Sequence, residues 1–134
     1  MQIYTAGLLL IKNRKLLMAY SNHKHCFYLP GGKLEKGETA LQALCREVKE
    51  ELNLILKEDE LIYYTHITAP AYGENTDVTM EQACFMANKC LYPKASAEIG
   101  KIRYFTMDEY LEEKFQAPGA IMILQKLQTD NLID

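Results

Sequence analysis

Residues 32–54 read GKLEKGETALQALCREVKEELNL, a glycine-bearing loop running into an amphipathic segment. Thr39 and Gln42 have the spacing of a capping box, which predicts a helix from there to about Leu52. At about 100° per residue, Glu47, Glu50 and Glu51 share one sector of that helix. Ala43 and Ala40 continue the sector toward the N-terminus, leaving a groove rather than a wall. Leu41, Leu44, Val48 and Leu52 gather beside it on a face suited to a sheet, and Gln42 and Lys49 point to solvent.

Three carboxylates in one sector have two readings. One is an acidic, solvated helix face; the other is a site for a hard cation. Glu47 and Glu51 are like charges at i,i+4, an arrangement that costs about a few tenths of a kcal/mol. Arg46 has the spacing to pair with Glu50, which leaves Glu47 and Glu51 without a partner. Both also lie in the C-terminal half of the helix, where the dipole disfavours anions. Clustered carboxylates suit Mg²⁺ or Mn²⁺. The preceding loop offers flexible backbone and Lys33, a cation suited to phosphate oxygens. Carboxylates, a divalent metal, a lysine and exposed backbone are what phosphoryl chemistry needs.

Outward from this unit, strands and helices interleave. Residues 3–11 are apolar and rich in strand formers. Asn13, Arg14 and Lys15 predict a turn, and residues 16–20 return as a hairpin partner. Residues 26–29 form a short apolar piece stopped by Pro30-Gly31-Gly32, and residues 31–38 are expected to be loop. Strands are expected over residues 61–67, 78–88 and 102–105, with a loop over 68–77. Thr106 caps a predicted short helix through Lys114, and Pro118 opens a last helix ending near Gln128. This order argues for one α/β domain over residues 1–134, a mixed sheet with helices packed on it.

At 134 residues the chain can bury a core of its own. A net charge of −3 gives no electrostatic case for a nucleic-acid polymer or a membrane surface as partner, but admits a small anion if cations are bound. No apolar run approaches the length that spans a bilayer, and no leader signature precedes residue 3. The cysteines Cys26, Cys45, Cys84 and Cys90 form no CxxC pair and are expected to be free, which suits a cytoplasmic location.

Residues 32–54 resemble the signature of the Nudix (MutT-type) hydrolase family. Gly32, Glu38, Arg46, Glu47, Val48, Glu50, Glu51 and Leu54 stand at its spacing, and only Asn53 departs, where the pattern has glycine. The lead-in Phe27-Tyr28-Leu29-Pro30-Gly31-Gly32 is similar to the family's aromatic-x-apolar-Pro-Gly-Gly. The resemblance implies an α/β/α sandwich with a mixed sheet, and hydrolysis of a nucleoside diphosphate linked to another group. It implies that Glu47, Glu50 and Glu51, with the Gly32 carbonyl, hold Mg²⁺ or Mn²⁺. Arg46 would orient a glutamate and Glu38 would brace the loop. The general base would be Glu50 or, from a later loop, Glu98. Asn53 ends the helix, where asparagine tolerates the left-handed conformation next best after glycine.

Lys33 is a candidate phosphate ligand, and Phe27 and Tyr72 are candidates for the substrate pocket, Tyr72 by stacking on a base. His23 and His25 lie just before Phe27; with His66 they have no metal-site spacing. Pro70 and Tyr72 are similar to markers of two different subfamilies and so cancel. The expected substrate is a nucleoside triphosphate, intact or oxidised, with a nucleotide sugar such as ADP-ribose second and a silent nucleotide-binding domain third. The family resemblance also allows a homodimer.

Overall fold

The run Ala6–Leu9 is buried throughout, as a strand covered on both faces must be. It lies in β1 (Gln2–Leu9), the inner strand from which the rest is organised. In the computed structural model, residues 1–74 and 77–134 are described; Asn75 and Thr76, part of the loop expected over 68–77, lie outside them. β1 pairs in parallel with β7 (Thr79–Ala87) and antiparallel with β5 (Gly31–Lys33). β6 (Leu61–Pro70) completes a mixed sheet of order β5-β1-β7-β6. A second, antiparallel sheet holds β2 (Ile11–Lys12), β3 (Lys15–Ser21), β4 (Cys26–Tyr28) and β8 (Ile99–Phe105), the last three meeting along β3.

Helices cover opposite faces. α1 (Ala40–Leu52) lies on β1 and β5, where Leu44, Val48 and Leu52 close a core with Leu8 and Phe85. α3 (Pro118–Thr129) lies against β6, and its Ile123, Leu124 and Leu127 share the other core with Phe27, Phe105 and Tyr110. The short α2 (Met107–Leu111) contributes Tyr110 to that core, its hydroxyl donating to the Phe27 carbonyl at 2.6 Å. The expected α/β/α arrangement with a mixed sheet is what forms.

Local chemistry explains most boundaries. Asn13 and Arg14 both have positive φ (52° and 61°), the two-residue turn that suits the twist of a hairpin. The capping box of α1 forms in both directions, Gln42 N–H to Thr39 Oγ1 at 3.1 Å and Thr39 N–H to Gln42 Oε1 at 3.0 Å. Four expectations need correction, two of them of length: β6 runs on through Pro70 into the expected loop, and β8 begins at Ile99 and not at residue 102. Gly31, Gly32 and Lys33 form strand β5 rather than loop, because β1 offers them a ladder that no local propensity predicts. α2 stops at Leu111 and not Lys114: Glu112 and Glu113 would place two anions at a helix C-terminus.

Asn53 sits at the end of α1 with φ 56° and ψ 33°, in the left-handed region, as the reading of a glycine substitute requires. Its side-chain amide donates to the Lys94 carbonyl at 2.9 Å, a bond glycine could not make. Asn53→Ala should lose both that bond and the tolerance of positive φ, a loss of about 2 kcal/mol in urea denaturation. An unchanged urea midpoint would show that neither matters.

Candidate active site

The chain turns at Pro30 into Gly31, whose φ of +137° takes it out of the range of ordinary side chains. A Cβ there would lie 2.0 Å from the Ala6 carbonyl oxygen. This close approach aims the Gly31 N–H at α1, where it donates to Glu51 Oε1 at 3.0 Å. Glu51 is 4% exposed, a buried carboxyl beneath the strand. Burial pushes its pKa up from 4.5 to about 8; the Gly31 amide opposes that shift, and the charges of Glu47, Glu98 and Glu50 add to it.

One turn earlier, Glu47 occupies the space left by a second missing side chain. A Cβ on Gly32 would lie 2.6 Å from the Glu47 carboxyl carbon. Arg46 then ties the unit together. It donates to both oxygens of Glu38 at 2.9 Å, to Glu47 Oε1 at 2.8 Å and to the Lys33 carbonyl at 3.1 Å. Its nearest approach to Glu50 is 3.9 Å. The pairing expected from spacing forms only as this long ion pair, and the expectation that Glu47 lacks a partner is corrected: Glu47 accepts from the guanidinium at 2.8 Å. A planar donor fork can serve two carboxylates and a carbonyl at once, and Glu38 and Glu47 present theirs within its reach. The guanidinium, helped by the Glu35 amide, holds Glu38 down at a pKa of about 2. Glu47 is pulled the other way, its pKa raised by burial against the opposing effect of Arg46.

Glu47 and Glu51 open into a cleft of about 290 Å³ between the two sheets and α3, lined also by Gly32, Lys33, Tyr72 and Glu98. Tyr28 lines it as well, and its pKa is pushed up to about 12 by burial first and then by Glu51, Glu98 and Glu47. The phenol therefore stays neutral, able to donate a hydrogen bond beside three carboxylates. Six of the residues singled out from sequence, Gly32, Lys33, Glu47, Glu51, Tyr72 and Glu98, thus meet at one cleft.

The NUDIX domain family is matched over residues 1–126. The chain belongs to the NUDIX domain family. A curated relative, an ADP-ribose pyrophosphatase of Methanocaldococcus jannaschii, is 45% identical over 58 residues, 42% of this chain. That match spans about a third (34%) of the relative's length. Among solved structures, a MutT NUDIX hydrolase from Burkholderia pseudomallei superposes with a TM-score of 0.76 at 16% identity, over 95% of this chain and 98% of that one. A bifunctional NMN adenylyltransferase/ADP-ribose pyrophosphatase of Francisella tularensis, complexed with AMP and a Mn ion, gives 0.70 at 20% identity, over 97% and 42%. Such identities speak for the fold.

Within this NUDIX domain four candidates fall elsewhere. Phe27 is 3% exposed and packs edge-on against Tyr20 and Phe105, so it is core and not pocket. Strand alternation explains the exchange, for when Phe27 points inward its neighbour Tyr28 faces the cleft. Glu38 and Arg46 stand behind the lining as a brace. Glu50 has 55% of its side chain exposed and lies outside the lining. Among the described residues, no three His, Cys, Asp or Glu side chains converge closely enough to share an ion. Arg46 holds Glu47, and the Gly31 amide holds Glu51. All four cysteines are free, and among the described residues no helix is long and apolar enough to cross a membrane.

Sequence reasoning missed Tyr28 and Gln82. The period-2 alternation around Phe27 could have found the first. Nothing local marks the second, a buried amide on β7 whose place depends on the parallel pairing with β1.

Proposed function

We propose that this NUDIX domain hydrolyses the pyrophosphate linkage of a nucleoside diphosphate derivative with Mg²⁺ or Mn²⁺. The observation that carries the reading is Glu51, a buried carboxyl held by the Gly31 amide with Glu47 and Glu98 on the same cleft. Two carboxylates whose pKa values are raised, beside a backbone carbonyl, are oxygen donors of the kind a hard divalent cation takes. Glu47, Glu51 and the Gly32 carbonyl would hold it, and Glu50 joins only by turning its side chain inward. Such an ion neutralises the diphosphate and lowers the pKa of bound water.

The chain's own residues supply the rest. Lys33, 62% exposed at its side chain, can leave its surface pair with Glu74 for a phosphate oxygen. Neutral Tyr28 donates to another. Glu98 is the base of this reading, since it lines the cleft and is tied to no cation among the described residues. Water adds its oxygen to one phosphorus, its proton passes to Glu98, and the bridging P–O bond breaks with the electron pair going to the leaving phosphate. Arg46 acts at one remove, fixing Glu47 and the loop of Glu38.

A cleft of about 290 Å³ is at the small end of ligand sites, which suits one nucleoside and not two. That supports a nucleoside triphosphate, with nucleoside monophosphate and pyrophosphate as products. The 45% identical relative favours a second reading, ADP-ribose split to AMP and ribose 5-phosphate. A panel holding both substrates, read for products with and without EDTA, separates them. Chelation should abolish turnover of whichever is used. Release of inorganic phosphate alone would indicate a terminal phosphatase, and silence across the panel would remove the enzyme reading.

A further inference from the structure

Gln82 is 7% exposed, one of the few buried polar residues, and it lines the same cleft. Among the described residues, its amide oxygen has one hydrogen-bonding contact, a long one from the Cys84 thiol at 4.0 Å. Its Nε2 has no hydrogen-bond partner among the described residues. Yet no fully buried side-chain nitrogen or oxygen there lacks a partner. The amide nitrogen therefore opens to the cleft, where a ligand or water must complete it.

The backbone beside it is shaped for this amide. Gln82 is opposite Thr5 in the parallel β1–β7 register, and its side chain leans along the strand over Gly7. A Cβ on Gly7 would lie 3.1 Å from both Cδ and Nε2 of Gln82 and 3.1 Å from Leu29. Glycine inside a buried strand weakens it, and here it clears the floor of the cleft for a primary amide. The cleft near that amide includes apolar side chains: Leu29 meets Gly7 beside it, and Met80, two residues back on the same face of β7, pairs with Ile3. An amide that offers one donor and one acceptor among apolar lining residues suits a heterocycle with a polar edge better than a phosphate or a free sugar.

We infer that Gln82 is a specificity-determining residue, reading the hydrogen-bonding edge of the nucleobase while the diphosphate lies at Glu47 and Glu51. The inference rests on the nucleotide reading above only in taking the ligand to carry a base. Glutamine offers a donor and an acceptor side by side, the pattern that pairs with adenine through its N6–H₂ and adjacent ring nitrogen. Gln82→Glu, once ionised, offers acceptors only, which favours guanine with its neighbouring N1–H and N2–H groups.

The test is binding, so it does not depend on turnover. AMP, GMP and ribose 5-phosphate, none of which has a pyrophosphate bond to cleave, are titrated into the full chain by calorimetry in Mg²⁺, for the wild type, Gln82→Leu and Gln82→Glu. Gln82→Leu keeps the volume and should keep the melting temperature, which establishes that it folds. The wild type is expected to bind a nucleoside monophosphate more tightly than ribose 5-phosphate. In Gln82→Leu that advantage should fall by about tenfold, with ribose 5-phosphate unchanged. Gln82→Glu should shift the GMP:AMP ratio toward GMP. A nucleotide advantage equal in all three proteins overturns the assignment, as does a wild type that binds ribose 5-phosphate as well as AMP. Loss of hydrolysis across the substrate panel, with base-dependent binding intact, would instead overturn the catalytic reading alone.

Discussion

Glu51→Gln should lower kcat/KM on the accepted substrate by about two to three orders of magnitude while leaving the fold intact. Glutamine has the shape of glutamate, and its Oε1 can still accept the Gly31 N–H. What disappears is the negative charge that the cation and the developing transition state require. A second measurement separates charge from packing. In metal-free protein, the pKa of Glu51 is raised from 4.5 to about 8 by folding. The folded state therefore binds more protons than the unfolded state between those values. Stability must fall as pH rises through that window, by an amount on the order of a few kcal/mol. Above about pH 8 the loss is complete. Urea midpoints in EDTA, taken from about pH 5 to about pH 9, should show this decline in the wild type and a flatter profile in Glu51→Gln. Mg²⁺ competes with the proton, so it should raise the wild-type midpoint most at high pH and act little on the variant. Parallel profiles for the two proteins would mean that Glu51 is not the buried acid that the site is built on.

How much of this was legible in the sequence depends on whether a feature is local. The capping box at Thr39 and Gln42, the stop at Asn53 and the turn at Asn13-Arg14 are set by residues within a few positions of one another, and they form as read. The common sector of Glu47 and Glu51 follows from helical period alone, and both reach one cleft. Period does not say how deep each carboxyl sits. Glu50 shares the sector yet faces water, because only its neighbours lie beneath Gly31 and Gly32. For the same reason i,i+4 spacing finds only the long pair of Arg46 with Glu50, whereas the hydrogen bonds go to Glu38, from a loop eight residues away, and to Glu47 at the next position. Phe27 and Tyr28 exchanged roles because an aromatic was sought by type and not by strand face. Gln82 becomes meaningful only with β7 parallel to β1, a pairing that sets it opposite Thr5, 77 positions away, and that no window on the chain contains.

Gly31→Ala is expected to be the most damaging single-methyl change in the chain, because two penalties coincide there. The φ of +137° is strained for any L side chain, and the new Cβ would stand 2.0 Å from the Ala6 carbonyl oxygen, with the Ala6 carbonyl carbon and Gly7 Cα about 3 Å away. All three are backbone atoms of the inner strand, so no side chain can swing aside. Relief requires β5 to pull off β1, which breaks the Gly31 bond to Glu51 and leaves a buried carboxyl without its donor. A cost of about 4 kcal/mol or more places this among the exceptional substitutions, a large share of the 5–15 kcal/mol of a typical domain. Gly37→Ala isolates the conformational part. Gly37 also has positive φ (+83°), but a Cβ there meets nothing within 4 Å. Its cost should be only about 1–2 kcal/mol, the strain of the left-handed backbone. The difference between the two variants in urea denaturation measures the clash with β1. Equal losses would mean that β5 does not press on β1 as the structure has it, and that Glu51 owes its position to something other than the Gly31 amide.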